Sequence, residues 1–280
     1  MAISPEVQPD GELVAQVAGV TTARRGVKVL RDGATLAWWR ELLVVGALYL
    51  MYEAIRDIKK SGAALAFRNA QRVLDWEAAL RIDHELGLHE WVRQSQLVIV
   101  VSNYFYGTAY WVVTLFAIIW MYRKQPNDYP LWRNALMITT FLGLIGFAIF
   151  PLMPPRLLDL LGGTNYGFVD TLVKYPTFWS FDSGPMTKVS NQFAAMPSLH
   201  CAWALWASCA MYPRVKHRWA KVLLFLYPPF QVFCVVVTSN HYFLDAIVGF
   251  AIVGVGYVVA RMVTRAGRGP ALVPADTHPG

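Results

Sequence analysis

The sequence predicts an all-α, polytopic membrane protein with six transmembrane helices and an amphipathic interfacial helical segment. Of the 280 residues, 56% are hydrophobic and only 15% are charged, whereas soluble domains carry about 25% charged residues. The apolar residues form long runs, and the basic residues form short clusters between these runs. The formal net charge of +7 therefore indicates contacts with membrane lipids, and we expect no nucleic-acid partner.

Six apolar stretches are long enough to cross a bilayer, which takes about 20 residues of helix. The predicted spans are 37–55, 96–121, 134–153, 196–212, 220–238 and 241–262. Arg40 and Glu41 weaken the first stretch, and His200 weakens the fourth. Pro228 and Pro229 should kink the fifth helix.

The positive charges predict how these spans are oriented, because cytoplasmic loops are enriched in Lys and Arg. Basic clusters lie at 24–40, 123–133, 214–221 and 261–268. The 154–195 loop holds only three basic residues, and the basic 56–93 segment is an exception to the pattern. We therefore expect a protein of the plasma membrane with both termini in the cytoplasm and the 154–195 loop on the extracytoplasmic face.

The chain divides into a membrane domain between two terminal segments. We predict an N-terminal cytoplasmic tail over 1–36, a six-helix membrane domain over 37–263 and a flexible C-terminal tail over 264–280. Within the domain, residues 62–93 carry apolar residues at helical spacing, namely Ala66, Ala70, Val73, Leu74 and Ala78. This segment either lies in the membrane interface or packs on the bundle, and in both arrangements it could cover the access route of a lipid.

Three polar residues far apart in the sequence are predicted to meet at the extracytoplasmic face. Arg156 follows the third span, His200 lies near the start of the fourth, and His241 lies at the start of the sixth. Because the spans alternate in direction, all three side chains reach the same depth. Asp245 follows His241 by four residues and shares its helix face.

These residue types suit phosphoryl transfer without a metal or another cofactor. A carboxylate bonded to one ring nitrogen of His241 leaves the other nitrogen free as a nucleophile or base. Pro197 and Ser198 precede His200, and the start of a helix favours a phosphate. Arg156 can supply a permanently charged fork to phosphate oxygens. The predicted site is therefore a nucleophile, a general acid and an anion clamp.

At these residues the sequence resembles the type 2 phosphatidic acid phosphatase (PAP2) superfamily, and within it the inositol-phosphorylceramide-synthase-like branch of inositolphosphotransferases. The motifs that carry the resemblance are PPR at 154–156, MPSLH at 196–200 and SNHYFLD at 239–245. The resemblance implies six membrane helices and a site that faces away from the cytosol.

The resemblance also implies a role for each matching residue. His241 would form a phosphohistidine and Asp245 would orient it, while His200 would protonate the leaving group. Arg156 and Ser198 would bind the phosphate of a phospholipid or another lipid phosphate.

The sequence departs from the superfamily's soluble-phosphatase pattern at two positions. Ile149 stands where that pattern has a lysine, and Val235 stands where it has an arginine; Asn240 could fill part of the arginine's role without its charge. These differences favour a phosphodiester substrate whose phospho-headgroup moves to a lipid or polyol hydroxyl. A lipid phosphate phosphatase with water as acceptor is the alternative.

Other classes of function remain open or are disfavoured by spacing. A lipid or anion transporter, or a binding protein, could use the same cluster without catalysis. In HELGLHE, His84 and His89 are five residues apart, about 140° around a helix, which disfavours a shared zinc ion. The lipid class, the headgroup and the oligomeric state are not evident from the sequence.

Overall fold

Helices dominate the computed structural model of the chain, and a small sheet precedes them. The structure describes residues 21–24, 27–30, 35–44, 46, 50, 62–161, 165–175, 177 and 193–266. Its longer helices are α1 (Ala63–Leu80), α2 (Glu85–Arg93), α3 (Gln96–Lys124), α4 (Tyr129–Ile149), α7 (Leu199–Met211), α8 (Arg218–Val237) and α9 (Phe243–Ala266). Between α4 and α7 lie a 3-10 turn (Pro155–Leu157) and the short helices α5 (Leu158–Leu161) and α6 (Thr171–Lys174).

Four helices of the described residues are long and apolar enough to cross a membrane, namely α3, α4, α8 and α9. Each of them presents large apolar side chains on its outer surface, for example Val112 and Leu115 on α3. Surfaces of this kind suit contact with lipid chains. The chain is therefore a mostly helical membrane protein.

The prediction of six spans is supported for four of them. The predicted fourth span forms α7, which has 13 residues and so extends about 20 Å, short of the roughly 30 Å hydrocarbon core. Residues 38–44 of the predicted first span are helical, but most of its second half lies outside the described residues. The fifth predicted helix continues through Pro228 and Pro229 as a single helix, α8.

The prediction of an all-α chain is wrong for part of the N-terminal segment. Strands β1 (Thr21–Arg24), β2 (Val27–Val29) and β3 (Thr35–Ala37) form an antiparallel sheet in the order β1-β2-β3. Lys28 donates to the Tyr122 carbonyl oxygen over 2.7 Å and attaches this sheet to the end of α3. Strands this short give no clear alternation of apolar and polar residues in the sequence. They form because their N–H and C=O groups pair with one another. The tails before residue 21 and after residue 266 lie outside the described residues.

The 62–93 segment forms two helices, α1 and α2, which pack against the bundle through one face. Ala66, Ala70 and Val73 are buried as their spacing predicts, but Ala78 is exposed and Glu77 is buried in its place. Asn69 on the same face donates to the Pro151 carbonyl oxygen over 2.8 Å. The opposite face exposes Trp76 and Leu80. The segment therefore packs on the bundle through one face, and the exposed apolar residues of its other face also suit a position in the membrane interface.

The core helices α7 and α9 approach each other closely beside the predicted site. A Cβ atom added to Gly249 on α9 would lie 2.5 Å from the Ser198 carbonyl oxygen at the start of α7. Only glycine leaves room for this contact without a shift of the backbone. Gly249 thus allows the two helices that carry the histidines to come together.

We expect Gly249→Ala to separate α7 from α9 and to destabilise the protein by about 1–3 kcal/mol, the usual cost of overpacking. The matched control is Gly254→Ala on the same helix, where nothing lies within 4 Å of the added Cβ. Thermal unfolding of both variants in detergent checks this. Equal unfolding temperatures for the two variants would contradict the close packing.

Candidate active site

The turn between α8 and α9 places His241 at the start of α9. The backbone amides of Asn240 and His241 both donate to the Val235 carbonyl oxygen, over 3.0 and 3.2 Å. Ser239 adopts the left-handed conformation with φ of 56°, which reverses the chain within this short turn. His241 therefore lies in the short connection between α8 and α9, and its side chain is buried.

Asp245, in the first turn of α9, orients the imidazole of His241, which lies two residues before the helix begins. Its Oδ2 lies 3.2 Å from His241 Nδ1 and accepts the Tyr242 amide over 3.0 Å. The carboxylate is fully buried, so these hydrogen bonds are not shared with water. An imidazole that donates through Nδ1 has its lone pair on Nε2, the arrangement that a nucleophile or a base requires.

The second histidine meets the first directly. His200 Nδ1 lies 3.3 Å from His241 Nε2, and the ring centroids are 5.3 Å apart. Tyr106 and Tyr110 of α3 pack on the imidazole of His200, with centroids at 4.5 and 4.2 Å. The two histidines therefore share one centre, and two tyrosines restrict the rotation of His200.

Ser198 links the starts of the two helices that carry the histidines. Its amide donates to the Asp245 carbonyl oxygen over 3.0 Å, and its hydroxyl accepts from the Cys201 amide over 3.4 Å as the N-cap of α7. The Ser198 side chain is completely buried. Ser198 thus lies in the site with both histidines and Asp245.

Arg156 reaches the site through its backbone, while its side chain forms an ion pair that the sequence did not predict. The Arg156 amide donates to the Ser239 carbonyl oxygen over 2.9 Å, which joins the 3-10 turn to the His241 turn. The guanidinium Nη1 lies 2.6 Å from Asp170 Oδ2, and both side chains are largely buried. Asp170 also caps α6 by accepting the amides of Leu172 and Val173. No spacing in the sequence singles out this aspartate.

The side chain of Asn240 is bonded within its own turn. Its Nδ2 donates to the carbonyl oxygen and to the hydroxyl of Thr238, over 3.2 and 2.9 Å. The amide nitrogen of Asn240 therefore stabilises the turn in this structure. Only its Oδ1 remains to accept a hydrogen bond from a ligand.

Three further buried residues of the 62–93 segment bind the turn or the start of α9 and were not predicted as site residues. His89 Nδ1 lies 2.7 Å from the Val237 carbonyl oxygen and 2.8 Å from Ser239 Oγ, and its Nε2 accepts the Val169 amide over 3.2 Å. Burial lowers the pKa of His89, in agreement with a neutral ring that accepts at Nε2. Glu85 and Glu77 accept backbone amides of α9.

No metal site accompanies these residues in the part of the chain that the structure describes. Within it, no three His, Cys, Asp or Glu side chains are grouped so that they could hold a metal ion. His84, the other histidine of HELGLHE, lies at the N-cap of α2, while His89 is bonded to the turn. The arrangement can supply a nucleophilic nitrogen, a second imidazole and hydrogen-bond donors.

Comparison with known proteins places the chain in a family. The profile of the PAP2 superfamily matches residues 71–259, which is more than half of the chain, so the protein belongs to the PAP2 superfamily. Membership indicates a membrane enzyme of the lipid phosphatase type. The match includes both histidines, Asp245 and Arg156.

Among solved structures, the chain is similar to "Crystal structure of Aquifex aeolicus LpxE", with a TM-score of 0.45 and 18% sequence identity. The similarity covers 63% of this chain and 94% of that chain. A search of the curated proteins gives no significant match.

The Arg156–Asp170 pair allows a test of how the loop before α6 supports the site. Asp170→Ala would remove one carboxylate partner of the buried Arg156 guanidinium and the side-chain cap of α6, and we expect a loss of about 1–3 kcal/mol in stability. Asp75→Ala, at an exposed position of α1, is the matched control and should change stability by less than about 0.5 kcal/mol. Chemical denaturation in mixed micelles gives both values. A cost for Asp170→Ala no larger than that of the control would show that the pair is not needed.

Proposed function

We propose that the protein is an integral-membrane phosphotransferase or phosphatase that acts on a lipid-linked phosphoester through a phosphohistidine on His241. The observation that carries this proposal is the bonded series Asp245, His241 and His200, at 3.2 and 3.3 Å. Asp245 holds one nitrogen of His241, so the other can attack phosphorus. His200 lies where a general acid could protonate the departing oxygen.

In the proposed mechanism, the direct contact between the two imidazoles belongs to the site before a substrate binds. A phosphorus atom poised for attack lies about 3–3.5 Å from the nucleophile. The leaving oxygen must then lie between this phosphorus atom and the general acid. The 3.3 Å between His241 Nε2 and His200 Nδ1 is too short to contain both atoms. We infer that the substrate phosphate replaces this hydrogen bond and separates the rings.

The phosphate would be bound at the start of α7 and by Arg156. Ser198 is the N-cap of α7, and amides at the start of a helix favour an anion. Arg156 already binds the carboxylate of Asp170, and we propose that a substrate phosphate competes for the same guanidinium. Asn240 Oδ1 can only accept a hydrogen bond, which suits the hydroxyl of an acceptor alcohol better than a phosphate oxygen.

The two proposed reactions, transfer and hydrolysis, differ in the hydroxyl group that accepts the phosphate. Ile149 and Val235 occupy positions where the soluble-phosphatase pattern has cations, so less positive charge is available to hold a phosphate monoester dianion. A phosphodiester carries one negative charge fewer, and we therefore favour transfer of a phospho-headgroup to a lipid or polyol hydroxyl. The resemblance to the inositolphosphotransferase branch supports the same choice. Water as acceptor would make the protein a lipid phosphate phosphatase.

For the membrane arrangement we propose six crossings, with both termini in the cytoplasm and the site on the extracytoplasmic face of the plasma membrane. The distribution of basic clusters supports this orientation. In it, the 37–263 domain holds the site, α1 and α2 lie at the outer interface, and the 154–195 loop is extracytoplasmic.

Replacement of the nucleophile tests the proposed reaction. We expect His241→Gln to abolish release or transfer of label from radiolabelled phospholipids, and His200→Gln to lower turnover by roughly 10²- to 10⁴-fold. His84→Gln, at an exposed site on α2, controls for the loss of any histidine. Thermal unfolding should show that all three variants remain folded.

The products decide between the alternatives. A labelled lipid or polyol identifies a transferase, and labelled inorganic phosphate or a free phospho-headgroup identifies water as acceptor. Saturable lipid binding by the wild type without any cleaved product would support the non-catalytic transporter or binding protein instead. Full activity of His241→Gln would refute the assignment of the nucleophile.

A further inference from the structure

Three consecutive backbone amides at the start of α9 are each bound by a different carboxylate. Tyr242 donates to Asp245 Oδ2 over 3.0 Å, Phe243 donates to Glu85 Oε1 over 3.0 Å, and Leu244 donates to Glu77 Oε1 over 2.7 Å. The first amides of a helix have no partner within the helix and must be satisfied from outside. Here two of the three acceptors come from α1 and α2, which lie more than 150 residues earlier in the chain.

The two glutamates are buried as deeply as the catalytic aspartate. Glu77 is 0% exposed and Glu85 is 2% exposed. Since they bind adjacent amides, their carboxyl groups lie side by side, and two buried carboxylates at such close range cannot both ionise at neutral pH. One proton shared by the pair leaves a single negative charge, which the positive end of the helix dipole stabilises.

We propose that Glu77 and Glu85 are positioning residues that act as a pair with one shared proton and hold the first turn of α9, and with it His241, in place for phosphoryl transfer. The inference rests on the proposed function, because it assigns the pair to the same reaction. It makes the α1–α2 segment a part of the catalytic unit in addition to any contact that segment makes with lipid.

The surroundings of the pair favour the protonated form of Glu77. Burial raises the pKa of Glu77 to about 9, and the hydrogen bond and charge of Glu85 and the charge of Asp245 add to this rise. The bond from the Leu244 amide opposes it. Among the described residues, Tyr242 also interacts electrostatically with both glutamates and with Asp245, and His241 is bonded to Asp245. None of the groups that shift the pKa of Glu77 is basic.

Loss of the shared proton would weaken the hold on α9. Above about pH 9 a second negative charge would repel Glu85 and Asp245 and disturb the first turn of the helix. A glutamine at position 77 can still accept the Leu244 amide and donate to Glu85, but it does not ionise. Glu77→Gln therefore imitates the protonated pair at every pH, whereas Glu77→Ala removes the acceptor.

The test compares Glu77→Gln and Glu77→Ala with the wild type and with Glu90→Gln, an exposed position on α2. The measurements are kcat and KM from about pH 5 to about pH 10, thermal unfolding over the same range, and hydrogen exchange of the peptide that contains residues 242–244. We expect Glu77→Ala to lower kcat by roughly 10²-fold with little change in KM and to accelerate exchange of these amides.

For Glu77→Gln we expect protected amides, near-normal kcat at neutral pH and an alkaline loss of activity that is shifted upward or absent. The sign for stability follows from the raised pKa, because the folded wild type holds a proton that the unfolded chain releases. Wild-type stability should therefore fall as pH rises from about 4.5 to about 9, and the advantage of Glu77→Gln should grow over this window. Glu90→Gln should behave as the wild type.

The inference is overturned if Glu77→Gln follows the wild type in both pH profiles, or if Glu77→Ala keeps full kcat and protected amides. A wild type that yields no product from any lipid would contradict the proposed function alone. In that event, hydrogen exchange and the pH dependence of unfolding still decide whether the pair holds α9.

Discussion

The site depends on the interactions of one buried residue, Asp245. Its carboxylate binds the imidazole of His241 and the amide of Tyr242, and its carbonyl oxygen accepts the amide of Ser198. These bonds join the start of α9 to the start of α7, so both histidines are positioned by the same residue. A displacement of either helix would separate the proposed nucleophile from the proposed acid. Gly249 allows the close contact between the two helices that keeps them together.

Around this centre, the end of the bundle that holds the candidate site is stabilised by polar bonds, while the outer surface of the long helices is largely apolar. His89 and the backbone amide of Arg156 bind the turn that carries His241. Glu77 and Glu85 bind the first amides of α9. Charged and polar groups near a bilayer are expensive unless they are paired or functional. Here these groups are bonded to one another around the candidate site, although they come from distant parts of the chain.

Hydropathy and motif spacing predicted the helical class, four of the spans, and the grouping of the two histidines with Asp245, although His241 precedes α9 and is not part of the helix. These features are local, since period and spacing are visible in a single segment. The N-terminal sheet was not predicted, because its strands have only three or four residues, which is too short for a periodic pattern in the sequence.

The residues around the site that the sequence did not predict are brought there by tertiary contacts. Glu77 and Glu85 lie in amphipathic helices, where acidic residues normally face solvent, and only the packing of α1 and α2 on α9 shows that they are buried. Asp170 lies in a loop without any motif, and it became part of the site through the fold that brings it to Arg156. The position of Arg156 beside the His241 turn was predictable from alternating spans, but its ion pair was not.

The central claim is that His241 carries the phosphoryl group during the reaction. Rapid acid-free quenching of the purified enzyme with substrate labelled in its phosphate, followed by mass spectrometry of peptides, tests it most directly. The account predicts the labelled phosphate on the peptide that contains residues 239–245, bound to the histidine and, for a phosphodiester substrate, still carrying the headgroup; the bond should be labile in acid and stable in alkali. Turnover of the same substrate with no label on this peptide at any quench time, or label on another residue, would contradict it.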